Sequence, residues 1–218
     1  RFKLGEPSNG VPGIVSIDRN WRQVFNGTVN GISASADNSH VYVVGYFTWL
    51  NGGLAYRVAD ITQHMQKGSP WVYQQSEIPA RAHVSDLRNE TKIWGFQFDV
   101  QDAGTGVWVG GTEHLISRYD KASMSPTYTA ITREGGDFQD LHLNGNNIYG
   151  ACHCGDFLYQ GSRNKQRPVG GSSVVHSVKL VAAFDKDSGK MLPEFSPAIK
   201  GDHGFGIWES FVDSKGTL

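Results

Sequence analysis

A hairpin pattern recurs along this chain, and it constrains the fold more than any other feature. Ile32 to Gly45, Phe96 to Gly111 and Phe138 to Gly150 each read the same way. A short alternating strand meets a turn of Asn, Asp, Gly or Ser, and an apolar strand ending in glycine follows. Val41-Tyr42-Val43-Val44-Gly45 and Val107-Trp108-Val109-Gly110-Gly111 are the clearest second strands. Period-two alternation around fixed turn residues is the signal of paired antiparallel strands. A fourth copy opens at Gly206-Ile207-Trp208-Glu209.

The spacing of the copies suggests the architecture. The shortest advance, Val107 to Ile148, is close to the roughly 40–50 residues of a four-stranded propeller blade. The advances from Val41 to Val107 and from Ile148 to Leu218 are longer, and the excess belongs in connections. Each unit has a second half, as in Arg57 to Asp60, Leu115 to Asp120 and Leu180 to Asp185. Gly13 to Asp18 repeats that second half alone. The expected fold is therefore all-β, a β-propeller or propeller fragment of four-stranded antiparallel blades. Residues 1–24 read as outer strands of a split blade, 25–80, 92–134 and 137–200 as blade-like units, and 205–218 as the start of a further blade. Opening and stopping inside a unit favours further chain that completes both ends.

Composition agrees with many short strands and excludes some functions. The chain has 27 glycines, 11% aromatic and 19% charged residues. Twenty Lys and Arg face 21 Asp and Glu, so the basic stripe that nucleic-acid binding usually needs is not expected. Apolar runs fall far short of the ~18 residues of a membrane-spanning helix.

Catalytic signatures are lacking: there is no Gly-x-Ser-x-Gly elbow, no phosphate loop and no His-Glu-x-x-His. The expectation is a non-enzyme with no cofactor. Cys152-His153-Cys154 is the densest ligand-type cluster. A bridge across one residue suits disulfide geometry poorly, so both cysteines are expected as reduced, buried thiols with His153 on the opposite face. As metal ligands Cys152 and Cys154 are weak candidates, since a closed site needs two more groups. Asp99 to Gly104 and Asp185 to Gly189 read as hairpin turns, because neither has the downstream Glu of a calcium-binding loop.

Two sets of binding candidates remain. Phe96-Gln97, Phe138-Gln139 and Trp208-Glu209 recur at the start of the first strand of a unit and are expected to line the propeller axis. Trp49, Tyr56, Trp71, Tyr73, Arg163, Lys165 and Arg167 fall in the long connections, chiefly Leu50–Val72 and Leu158–Ser177. An aromatic and basic mixture on a rim suits a glycan or a protein partner.

Gly45-Tyr46-Phe47-Thr48-Trp49-Leu50-Asn51-Gly52 resembles the G-G-x-F-T-x-x-N-G signature of a bacterial and bacteriophage β-propeller repeat family. Cys152-His153-Cys154-Gly155 after Gly136-Asp137-Phe138-Gln139 is similar to stretches of actinobacterial surface propellers and of minor tail proteins of their phages. The second unit departs from the pattern with Thr112-Glu113-His114, and the third with Cys-His-Cys. The resemblance implies a structural and adhesive module in a virion tail. It would sit at the tail tip, beside other tail or surface proteins, as an oligomer within an assembly, and meet a host envelope glycan. Two alternatives are a secreted or wall-associated actinobacterial propeller that binds glycan or protein, and a propeller enzyme such as a lyase or oxidoreductase.

Overall fold

The computed structural model describes residues 2–4, 15–17, 22–55, 57–61, 97–111, 114–122, 126–132, 136–155, 157–160, 175–200, 206–213, 215 and 217. Among these there is no helix. The strands are β1 (Phe2–Leu4), β2 (Val15–Ile17), β3 (Thr28–Ala34), β4 (Val41–Tyr46), β5 (Trp49–Leu50), β6 (Gly53–Leu54), β7 (Val58–Asp60) and β8 (Gln97–Asp102). They continue with β9 (Gly106–Gly111), β10 (Leu115–Asp120), β11 (Pro126–Thr132), β12 (Phe138–Asn144), β13 (Asn147–Cys152), β14 (Phe157–Gln160), β15 (Val175–Ser177) and β16 (Val181–Asp185).

These strands make a portion of a β-propeller. Three antiparallel sheets follow one another: β3-β4-β7, then β8-β9-β10-β11, then β12-β13-β16. The third gains an outer edge where Met191 bridges back to Phe184. In each blade the first strand is innermost and the second is sandwiched. That is why β4 and β9 are apolar almost without interruption: their two faces are both covered. β5 and β6 form a small hairpin between the second and third strands of the first blade, and β1 pairs with β2 in a separate sheet.

The connections differ from the sequence reading at one place. The stretch from Leu158 to Ser177 is expected as a rim loop. Its two arms instead form strands β14 and β15, and β14 pairs with β11, the outer strand of the preceding blade. The second blade thus becomes a six-stranded sheet, ordered β15-β14-β11-β10-β9-β8. Covering the β11 edge in this way removes an exposed row of backbone donors and acceptors.

The core lies between blades. Tyr42, Val44 and Val58 of the first blade meet Val100, Val107, Val109 and Tyr119 of the second. Trp108, Ile116 and Tyr128 of the second meet Phe138, Leu141, Ile148 and Phe184 of the third. Phe138 explains two of the glycines, Gly110 and Gly150. A Cβ on Gly110 would lie 2.8 Å from the Phe138 Cβ, and one on Gly150 would lie 2.9 Å from its ring. The aromatic wedge fits because the second strands of both blades carry no side chain there.

Candidate functional site

The inner strands are joined by a repeated polar contact. The Asp99 carboxylate on β8 accepts the backbone N–H of Leu141 on β12 at 2.8 Å. The Asp140 carboxylate on β12 accepts the backbone N–H of Ser210 at 2.7 Å and its hydroxyl at 2.8 Å. A second contact of the same sense joins β3 to β8 and, two residues beyond Asp140, β12 to the segment 206–213. Ser33 Oγ accepts the N–H of Asp102 at 3.5 Å, and His142 Nε2 accepts that of Val212 at 3.2 Å. Side chains of one inner strand therefore satisfy backbone groups of the next. Residues 206–213 lie beside β12 as β12 lies beside β8.

The register of the hairpins fixes the equivalences. Gly31 stands opposite Val44, Asp99 opposite Gly110 and Asp140 opposite Ala151, each just after a bulge that begins at Val29, Gln97 or Phe138. Gly31, Asp99 and Asp140 are equivalent, and so are Ile32, Val100 and Leu141. The hydrogen bonds extend the series, placing Ser210 with Leu141 and Glu209 with Asp140.

Burial pushes the Asp99 carboxyl up to about 7. Hydrogen bonds from the N–H groups of Leu141 and Val100 oppose that rise, while the charge of Asp140 and a hydrogen bond with it add to it. The Asp99 and Asp140 carboxyls thus lie on neighbouring strands, and Asp99 is the one whose proton affinity burial raises.

A second lock sits farther out. Arg118 on β10 is buried, and its guanidinium donates to the Lys186 carbonyl at 2.9 Å, the Thr127 hydroxyl at 2.7 Å and the Thr105 hydroxyl at 2.9 Å. Trp108 Nε1 donates to the same carbonyl at 3.0 Å. That carbonyl lies in the turn Asp185 to Gly189, where Asp185 Oδ1 accepts the Ser188 N–H and hydroxyl at 2.7 Å. Of the two turn expectations, this segment is a turn. In the other, Asp99 lies within β8, and the turn begins at Asp102, whose carboxylate accepts the Gly104 N–H at 2.8 Å.

The cysteines are buried as expected, but the expectation that they are reduced is wrong. Cys152 and Cys154 are joined as a disulfide. The chain bends at His153, so strand alternation does not govern the pair, and the Cα atoms come within 5.2 Å, inside the range a bridge requires. Sulfurs joined in this way offer no thiolate to a metal. His153 meets the segment 206–213: its ring is edge-on to Trp208 with centroids 4.6 Å apart, and it fills the space a Cβ on Gly206 would need.

The axis candidates scatter. Phe138 is buried between blades, Gln139 is half-buried at a bulge, and Trp208 and Glu209 are exposed. Gln97 contributes its backbone to β8, while Phe96 lies outside the described residues. Cross-strand register also corrects the proposed equivalence by one residue. Phe138 faces Cys152 as Gln97 faces Gly111, so Phe138 matches Gln97 and not Phe96. Of the rim candidates, Trp49 is 44% exposed on the β5–β6 hairpin. Asn26 Oδ1 holds that hairpin by accepting the N–H groups of Thr48 and Trp49, each at 2.9 Å. Tyr56, Trp71, Tyr73, Arg163, Lys165 and Arg167 lie outside the described residues. Asp140 and Arg118 escaped sequence reasoning because an acid and an arginine at strand positions carry no motif.

No protein-family model matches the chain, and no curated protein matches it. Among solved structures it is similar to the Pan2 WD40 domain of Neurospora crassa, at 11% identity over 88% of this chain and 45% of that one, with a TM-score of 0.39. It is also similar to the Cps50 (Swd1) β-propeller domain of Myceliophteria thermophila, at 12% identity over 75% and 52% of the two chains, TM-score 0.35. For BamB from Moraxella catarrhalis the values are 13% identity, 76% and 61%, and TM-score 0.34. The chain spans about half the length of the first two. The class is set by strand order and blade stacking within this chain: it is a β-propeller module.

Proposed function

We propose that this module acts by surface contact and not by catalysis, within a multi-chain assembly that meets a cell envelope. One observation carries the reading. The polar groups of the inner strands, Asp99, Asp140, His142 and Ser33, are engaged with backbone N–H groups of the next blade, while large apolar side chains stand exposed at edges and rims. Trp49 is the described rim residue best placed for contact, since a fixed, exposed indole offers a face to a pyranose ring or a partner side chain. The repeat resemblance supports a phage tail tip as the setting and an envelope glycan or another tail or surface protein as the partner. A secreted or wall-attached propeller would use the same rim.

The test is co-sedimentation of the purified chain with isolated actinobacterial cell envelopes. Trp49→Ala is expected to weaken binding about tenfold, the equivalent of about 1.4 kcal/mol, with an unchanged melting temperature. Equal binding by the variant removes Trp49 from the contact, and no binding by the wild type removes the envelope.

A second reading, a propeller enzyme, is favoured by Asp99 beside Asp140, because a carboxyl whose proton affinity burial raises, in contact with a second carboxyl, suits acid–base chemistry. Asp99→Asn separates the two: it would abolish turnover in an enzyme and leave envelope binding intact in a contact module.

A further inference from the structure

The residues from Cys152 to Cys154 form a junction. Strand β13 ends at Cys152, and the chain bends at His153. The Cys152 N–H donates to the Leu180 carbonyl at 2.9 Å, and the Leu180 N–H donates to the Cys154 carbonyl at 2.7 Å. The His153 N–H donates to the Asp137 carbonyl at 3.2 Å, and the Ile207 N–H donates to the Cys152 carbonyl at 3.3 Å. The bridge and a straight strand exclude each other. An extended strand advances about 6.6 Å over two residues, whereas a disulfide spans only about 3.5–4.5 Å between Cβ atoms. The two Cα atoms stand 5.2 Å apart, drawn together by the bend. The bend carries a cost at His153. Its Nε2 is enclosed beside Gly206 and Trp208 and meets no hydrogen-bond partner among the described residues. An enclosed polar nitrogen without a partner disfavours the conformation that encloses it.

We propose that this bridge is a redox-responsive latch between the third blade and the segment 206–213. Joined, the cysteines hold the bend that seats His153 against Trp208 and Gly206. As thiols, they let residues 152–154 straighten, His153 leaves its enclosed place, and the segment loosens from β12. The reductant is a dithiol. Its thiolate attacks one sulfur, and its second thiol then displaces the mixed disulfide. Two electrons and two protons pass to Cys152 and Cys154, and the dithiol leaves as a cyclic disulfide. Both sulfurs are buried, so exchange passes through an opening of the bend. The cost at His153 favours the straight form once the bridge is gone. The effect is local. A bridge constrains the unfolded chain more strongly the longer the loop it closes, and this one encloses a single residue. The Asp99 and Arg118 contacts between blades do not pass through it. The latch is independent of what the rim binds.

Amide hydrogen exchange on the folded chain, with and without dithiothreitol, tests the latch, with reduction followed by thiol counting. Ile207 and Ser210 are expected to exchange about tenfold faster or more in the reduced chain, while Leu141, held by Asp99, keeps its rate. Replacing the reagent with its oxidised form should restore slow exchange. The double variant Cys152→Ser/Cys154→Ser should exchange like the reduced chain, and if it does not fold, the reduced wild type carries the comparison. Cysteines that dithiothreitol leaves joined in the folded chain would overturn the proposal. So would unchanged rates at Ile207 and Ser210 after reduction, or rates that stay fast after reoxidation. An equal rise at Leu141 would also overturn it, because the bridge would then brace the whole fold.

Discussion

Asp99 and Leu141 sit on neighbouring inner strands, and the Asp99 carboxylate accepts the Leu141 backbone N–H at 2.8 Å. The bond crosses from one blade to the next. Its repetition between Asp140 and Ser210 makes it a feature of the repeat and not of one place in the chain. An inner strand has a sheet partner on one side only, so backbone groups on its free side must be satisfied elsewhere. A short acidic side chain on the preceding blade does this.

The pH dependence of stability follows from Asp99. Its carboxyl is raised from 3.8 to about 7 in the folded chain. Folding therefore takes up a proton between those values. The Asp99 contribution is most favourable below the unfolded value and is lost as pH rises through about 7. The melting temperature should fall between pH 5.5 and pH 8, since each tenfold difference in proton affinity between the folded and unfolded chain is worth about 1.4 kcal/mol at most. Asp99→Asn keeps an acceptor for Leu141 and cannot ionise, so it should flatten this slope. A slope that persists in the variant would assign it to another group.

Arg118 should be hard to replace. One of its donations ties the second blade to the Lys186 carbonyl in the turn of the third, the other two hold the guanidinium to Thr127 and Thr105 of its own blade, and lysine cannot reproduce that fork. Arg118→Lys should destabilise the chain by about 2–3 kcal/mol in chemical denaturation. A loss below about 0.5 kcal/mol, the level of an ordinary surface change, would show the contact to be weak.

Two glycines in similar conformations should respond differently to alanine. Gly189 has φ 76° and lies against the Tyr128 ring, which a Cβ would strike, whereas Gly145 has φ 59° with open space around it. Gly145→Ala should cost about 1–2 kcal/mol, the penalty for a left-handed residue. Gly189→Ala adds overpacking worth another 1–3 kcal/mol or so. Equal melting temperatures for the two variants would count against the packing of Gly189 under Tyr128.

Cysteine titration is direct. The unfolded, unreduced chain should release no thiol to Ellman's reagent, and the reduced chain should release both. Two reactive thiols before reduction would mean that Cys152 and Cys154 are not joined.

The hairpins were legible because each depends on neighbours in sequence. Asn144-Gly145-Asn146-Asn147 turns where glycine supplies a positive φ, and Val41 to Val44 announces a covered strand. The contacts between blades were not. Bulges at equivalent places in β3, β8 and β12 shift the register, and alternation alone does not show them. That hid the match of Asp99 with Asp140, and it made Phe96 look like the counterpart of Phe138. The arms of the Leu158–Ser177 stretch resembled a polar loop because β14 finds its neighbour in β11, across a blade boundary. Cys152 and Cys154 misled for a local reason, a bend at His153 inside what read as a strand.

The central claim is that acids on the inner strands serve as acceptors between blades. Amide hydrogen exchange at Leu141 tests it most directly. In Asp99→Ala, Leu141 should exchange about tenfold faster or more than in the wild type, while Trp108 in the sandwiched strand β9 keeps its protection. An unchanged Leu141 rate in a folded Asp99→Ala chain would contradict the account.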